Sequence, residues 1–287
     1  MSSPVAGTSA GTSTDASNGT SNGTSVTETY GRIETAFRAK RAAGRKLLVP
    51  FITGGVTDDW VDHVRAAAAA GADAIEIGIP FSDPVMDGPV IQDASQRALE
   101  RGTTPVTVLA ELAQADAGIP FLVMTSYNLA FRAGHERFAR MLADHGVSGA
   151  ILPDLQLDEA DDWVDVAGRA GIENVFLAAP TTPDDRLARI AAASRAFVYG
   201  VGTLGVTGER ATLAATAGEI AGRLKACTDR PVLVGVGVSN AAQAVEVAAV
   251  ADGVIVGASV MRRLLEGQGP EGVGRYISEL RAGLDGR

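Results

Sequence analysis

Histidine, lysine and cysteine are scarce in these 287 residues, and each shortage removes a class of chemistry. The histidines are His63, His135 and His145, all on or beside predicted helices and none at a strand end. They read as helix-surface residues, which argues against a histidine metal site or a Ser-His-Asp triad. The lysines are Lys40, Lys46 and Lys225. None is placed for a Schiff base, so imine-type aldolases and pyridoxal phosphate enzymes are disfavoured. The lone cysteine, Cys227, excludes an internal disulfide and reads as a small, partly buried thiol near a helix end.

Basic clusters and long apolar runs are missing too. The net charge is −9 and the pI about 4.9, with no grouping of Lys and Arg, which argues against nucleic acid and anionic membranes as partners. No apolar run reaches the roughly 18 residues a membrane-spanning helix needs. The first residues show neither the basic nor the apolar region of a signal peptide, so the expected location is the cytoplasm. Aromatics make up only 5% of the chain.

What is plentiful is Ala, Val, Ile, Leu and Gly, within a 46% hydrophobic composition that suits a layered α/β protein. Residues 1–29 form a Ser/Thr/Gly/Asn-rich tail with little to bury, expected to be disordered. From Tyr30 an amphipathic helix is predicted over 33–43, followed by short apolar runs alternating with Ala-rich helical stretches. Strands are predicted at 47–53, 74–80, 121–126, 149–153, 175–179, 196–201, 232–236 and 253–256. Their near-continuous apolar character marks a parallel sheet covered on both faces. Eight strands alternating with helices predict a (β/α)₈ TIM barrel with an extra N-terminal helix, one catalytic domain over residues 30–287. A doubly wound open sheet is the alternative, weakened by the lack of Rossmann and Walker fingerprints.

Chemistry in such a barrel sits where strands end. In the second predicted strand Glu76 stands among Ile75, Ile77 and Ile79, where a carboxylate is expensive to bury. Alternation turns the isoleucines one way and Ala74, Glu76 and Gly78 the other, which suggests a pocket on the small-residue face. With lysine and histidine chemistry disfavoured, Glu76 is the acid/base candidate. Asp87, in the loop that follows, is expected to be more exposed and ionised, so that the two carboxylates divide acid and base roles. Asp83 braces or caps that loop. Tyr199, on the sixth strand, could fix Glu76, touch substrate or simply pack in the core. The long loop 202–209 is a candidate lid. The turns Gly235-Val236-Gly237-Val238-Ser239-Asn240 and Gly257-Ala258-Ser259 each run into a helix. They read as a phosphate site of backbone amides, or as ordinary turns with Ser239 or Asn240 as a helix cap.

At these residues the sequence resembles the tryptophan synthase α subunit family. The most specific stretches are Glu76-Ile77-Gly78-Ile79-Pro80-Phe81-Ser82-Asp83-Pro84 with Asp87-Gly88-Pro89, Leu177-Ala178-Ala179-Pro180-Thr181-Thr182-Pro183, and Gly205-Val206-Thr207-Gly208. The resemblance implies a lyase that cleaves indole-3-glycerol phosphate to indole and glyceraldehyde 3-phosphate, with no cofactor of its own. It also implies a pyridoxal phosphate-containing β subunit as partner in an α₂β₂ assembly. It places Glu76 in the acid/base role and Asp87 at the indole N–H, with Thr207 bonding Asp87 on loop closure. Phe51 and Ile91 would contact indole, Tyr199 would lie beside Glu76, and Gly208, Gly237 and Gly257 would offer amides to phosphate. The chain departs from the family pattern at Gly55-Val56-Thr57, Ser126, Gln156, Thr203 and the order Ala258-Ser259. These departures leave open a stand-alone lyase that releases free indole, or a phosphate-ligand-binding subunit that only regulates its partner.

Overall fold

The computed structural model describes residues 30–202 and 210–286. The expected tail, 1–29, and most of the candidate lid lie outside them. In chain order the elements are α1 (Arg32–Ala42), β1 (Leu47–Thr53), α2 (Trp60–Ala69), β2 (Ile75–Gly78), α3 (Pro89–Glu100), α4 (Pro105–Leu112) and β3 (Phe121–Met124). Then follow α5 (Tyr127–Ala133), α6 (His135–Asp144), β4 (Val147–Ile151), α7 (Asp161–Arg169), β5 (Glu173–Val175), β6 (Leu177–Ala178) and α8 (Asp184–Ala193). The last are β7 (Val198–Val201), α9 (Arg210–Cys227), β8 (Val232–Gly235), α10 (Ala241–Ala248), β9 (Gly253–Val256), α11 (Ala258–Leu265) and α12 (Gly269–Leu284).

All ladders are parallel, in the order β5-β4-β3-β2-β1-β9-β8-β7-β6. β5 and β6 are two pieces of the fifth predicted strand, so the two ends of this order are one residue apart and the sheet closes into the expected eight-stranded barrel. The strand breaks at Phe176, whose N–H is taken by the Ser194 hydroxyl at 3.2 Å. The seam is then bridged from β7's side, by Arg195 N–H to the Asn174 carbonyl at 2.6 Å and Tyr199 N–H to the Phe176 carbonyl at 3.2 Å. A second change of partner falls on β1. Residues up to Pro50 pair with β9 and those from Phe51 pair with β2.

Two apolar shells follow from strand alternation. Ile75, Ile77 and Ile79 pack outward against the helices. Ala74, Leu122, Ile151, Val175, Phe197, Leu233 and Ile255 fill the barrel interior. α1 lies across the N-terminal ends of the strands and pushes Ile33 and Phe37 into that interior. Its first amides are capped from β5, where the Glu173 carboxylate accepts from Ile33 N–H at 2.7 Å and Glu34 N–H at 2.9 Å. Beside it the buried Asp73 accepts from Lys40, Arg45, Arg281 and the Leu48 amide. Lys46 donates to the Ala251 carbonyl and Lys225 to Asp252, so all three lysines serve this end of the barrel.

Two sequence expectations are corrected. His63 is 2% exposed rather than on a helix surface, because it shares the buried stripe of α2 with Trp60, Val64 and Ala67. Cys227 is exposed rather than partly buried, since the buried stripe of α9 ends one turn earlier at Leu224. No helix among the described residues is long and apolar enough to cross a membrane.

Candidate active site

β2 delivers Glu76 to the C-terminal mouth of the barrel at 1% exposure. Its neighbour in register is Phe51 on β1, and Gly78 is small for a reason: a Cβ there would stand 2.4 Å from the Phe51 ring. The loop after β2 turns on itself, with Val85 N–H to the Asp83 carbonyl and Asp87 N–H to the Pro84 carbonyl. The Asp83 carboxylate also accepts from the Ser82 hydroxyl at 2.6 Å, bracing the loop. Gly88 then starts α3 with Pro89 in its first turn, the position where a missing N–H costs nothing. This arrangement holds Asp87 half-buried over the strand end.

Glu76, Asp87, Phe51, Ile91, Tyr199 and Gly257 line one cavity of about 200 Å³. Burial raises the Glu76 carboxyl to about 8, with the nearby Asp87 charge adding to the effect. Burial also raises Asp87, to about 6. At neutral pH Glu76 is therefore mainly protonated and Asp87 mainly ionised, an acid and an anion side by side. Burial, and then the charges of Glu76 and Asp87, hold the Tyr199 phenol well above its usual range, so it stays neutral. Glu76 Oε2 has no hydrogen-bond partner among the described residues, so Tyr199 does not hold that oxygen. The Tyr199 hydroxyl instead occupies the space left by Gly235, where a Cβ would lie 2.7 Å away.

The two glycine-rich turns differ. The Asn240 side chain caps α10 by accepting from Gln243 N–H at 3.0 Å. α11 begins at Gly257 with no side-chain cap, leaving its N-terminus to face the cavity. Of the two, the α11 turn is the better anion site. A larger hollow of about 850 Å³ between α6 and α7 is open to solvent and lined by charges of both signs, away from the carboxylates.

Comparison with known proteins identifies the family. A family model described as Tryptophan synthase alpha chain matches residues 37–280. The chain belongs to the tryptophan synthase alpha chain family. It is 48% identical over 232 residues to the tryptophan synthase alpha chain of Thermobifida fusca, covering 79% of this chain and 86% of that protein. It is 43% identical to that of Streptomyces coelicolor, covering 87% and 95%. Among solved structures, tryptophan synthase of Mycobacterium tuberculosis superimposes with a TM-score of 0.83 at 40% identity, over 89% of this chain and 99% of that one. The alpha chain from Legionella pneumophila gives 0.81 at 31% identity, over 90% and 98%.

Against the residues implied by the tryptophan synthase resemblance, the cavity unites Glu76, Asp87, Phe51, Ile91, Tyr199 and Gly257. Gly237 does not line it; it sits exposed beyond Gly235 with φ +77°. Thr207 and Gly208 lie outside the described residues. Sequence reasoning missed the apolar wall of Met86, Met124, Pro153, Leu177 and Val201. All but Met86 lie in or just beyond β3, β4, β6 and β7, and that position was the available signal.

Proposed function

We propose that this chain is the α subunit of a tryptophan synthase and cleaves indole-3-glycerol phosphate to indole and glyceraldehyde 3-phosphate. It is a carbon–carbon lyase, and Glu76, protonated at neutral pH and unpartnered at Oε2, is the observation that carries its mechanism. Glu76 donates its proton to the indole carbon that bears the side chain. Positive charge then develops on the ring, and the Asp87 carboxylate stabilises it at the indole N–H. The Glu76 carboxylate so formed takes the proton of the adjacent side-chain hydroxyl. The C–C bond breaks, its electron pair restores the aromatic ring, and the hydroxyl carbon becomes the aldehyde. The proton count closes with Glu76 again protonated.

Phe51 and Ile91 contact the ring, Tyr199 lies beside Glu76, and the phosphate takes amides from the Gly257 turn, supplemented by Gly237 and Gly208. Thr207 bonds Asp87 when the loop closes. The reaction needs no cofactor in this chain. Pyridoxal phosphate belongs to the β subunit, which takes the indole in an α₂β₂ assembly. Exposed apolar residues at the catalytic end support such a partner: Val85 is 83% exposed in the β2 loop, Val106 58% at the start of α4 and Phe131 63% on α5. A catalytic unit over 30–287 in the cytoplasm completes the reading.

The test is indole release from indole-3-glycerol phosphate, alone and with added β subunit. Indole is expected in both, with activation by the β subunit of about ten-fold or more. Full activity alone, unchanged by the β subunit, would mark a stand-alone lyase. Tight glycerol phosphate binding without indole would leave only a regulatory binding subunit.

A further inference from the structure

Two glycine turns can serve one phosphate only if their spacing is fixed, and a buried hydrogen-bonded chain joins them. The Ser259 hydroxyl, in the first turn of α11, donates to the Val238 carbonyl at 2.9 Å. The Tyr276 hydroxyl on α12 donates to the Ser259 oxygen at 2.8 Å. Arg263 lies 3.5 Å over the Tyr276 ring and donates to the Ser259 carbonyl at 2.8 Å. Ser259, Val238 and Tyr276 are 5%, 2% and 3% exposed. Val238 directly follows Gly237, and Ser259 lies two residues after Gly257, so the chain spans from one turn to the other.

The Ala258-Ser259 order therefore has a definite consequence. The Ser259 hydroxyl is engaged inside the protein on both sides, as acceptor and as donor, and is not directed to a ligand. What it can do is hold the α11 N-terminus against the β8 turn. That N-terminus opens on the same cavity as Glu76, whose unpartnered Oε2 independently marks the cavity as a place for a polar ligand. We propose that Ser259, locked by Tyr276, is a positioning residue that sets the spacing of the Gly237 and Gly257 turns and thereby the affinity for the substrate phosphate. This deepens the lyase reading and rests on it.

The experiment uses the full chain with Ser259→Ala, Tyr276→Phe and Ser259→Thr. Indole release gives kcat and KM, and titration with inorganic phosphate reports the cradle without chemistry. Ser259→Ala is expected to raise KM and weaken phosphate about ten-fold while kcat stays within about two-fold. Tyr276→Phe, which keeps the ring under Arg263, shifts both in the same direction and keeps the test open if Ser259→Ala does not fold. Ser259→Thr retains the oxygen and should restore both constants. A lower melting temperature with KM and phosphate affinity unchanged would overturn the proposal. An unaltered protein that binds phosphate but releases no indole would sink the lyase reading alone, and the phosphate titrations would still decide this one.

Discussion

Glu76 is a carboxyl that the fold keeps protonated, and that state has a thermodynamic signature. Its value of about 8 in the fold stands against an ordinary 4.5 in the unfolded chain. Between these the folded protein holds a proton that the unfolded chain has released. Stability therefore falls as pH rises through this window, by up to about 1.4 kcal/mol per pH unit, and the slope ends above about 8. Asp87 adds a slope of the same sign between its ordinary 3.8 and about 6. Glu76→Gln abolishes the Glu76 slope, so urea unfolding at pH 5 and pH 8 should show the variant gaining on the unaltered protein at the higher pH. An unchanged difference between the two pH values would refute the burial argument. The same variant should lose at least about a hundred-fold in indole release with its phosphate affinity intact. Much of this residue chemistry was legible beforehand. Alternation alone turned Glu76 away from its isoleucines, and the scarcity of lysine and histidine left few rivals. Tyr199's true neighbour, the space over Gly235, was not legible, because it depends on the register between β7 and β8.

Among the elements, α1 shows how a helix outside the repeating unit becomes part of the barrel. It is anchored by Glu173, whose two oxygens accept the two N–H groups of Ile33 and Glu34. Glu173→Ala leaves both buried amides without their acceptor and should cost about 2 kcal/mol. Chemical denaturation would measure this, and indole release by the folded variant should be unaffected, since α1 lies at the opposite end from Glu76. The apolar runs place eight strands, but the fifth is expected over 175–179, so neither its start at the polar Glu173-Asn174 nor its break at Phe176 could be read. The hydrogen bond at the break comes from Ser194. α5 is not legible in the sequence because seven residues show little periodicity, although its cap is plain in the structure: Ser126 accepts from Asn128 N–H at 3.3 Å. The Asp154 carboxylate fixes that cap by accepting from the Ser126 hydroxyl at 2.7 Å and from Tyr127 N–H at 2.6 Å.

For the whole molecule, the exposed Val85, Val106 and Phe131 put apolar surface around the mouth that Glu76 and Asp87 serve. Substituting Phe131→Glu and Val85→Glu together should leave unassisted indole release within about two-fold while reducing activation by the β subunit about ten-fold or more. Comparing rates at saturating β subunit with rates alone would check this; equal activation would place the contact elsewhere.

Around the closed barrel the strand pairing changes along two lines. One runs past Pro50, where β1 changes partner, and the other past Phe176. They divide the wall into an arc of β2 to β5 and an arc of β6 to β9. Glu76 and Asp87 ride on the first arc, and the Gly237 and Gly257 turns on the second. The two carboxylates and the two glycine-rich turns are thus carried by different halves. The span between them is therefore set by the hydrogen bonds that cross those two lines, among them Asp73 N–H to the Leu48 carbonyl at 2.8 Å and Arg195 N–H to the Asn174 carbonyl at 2.6 Å.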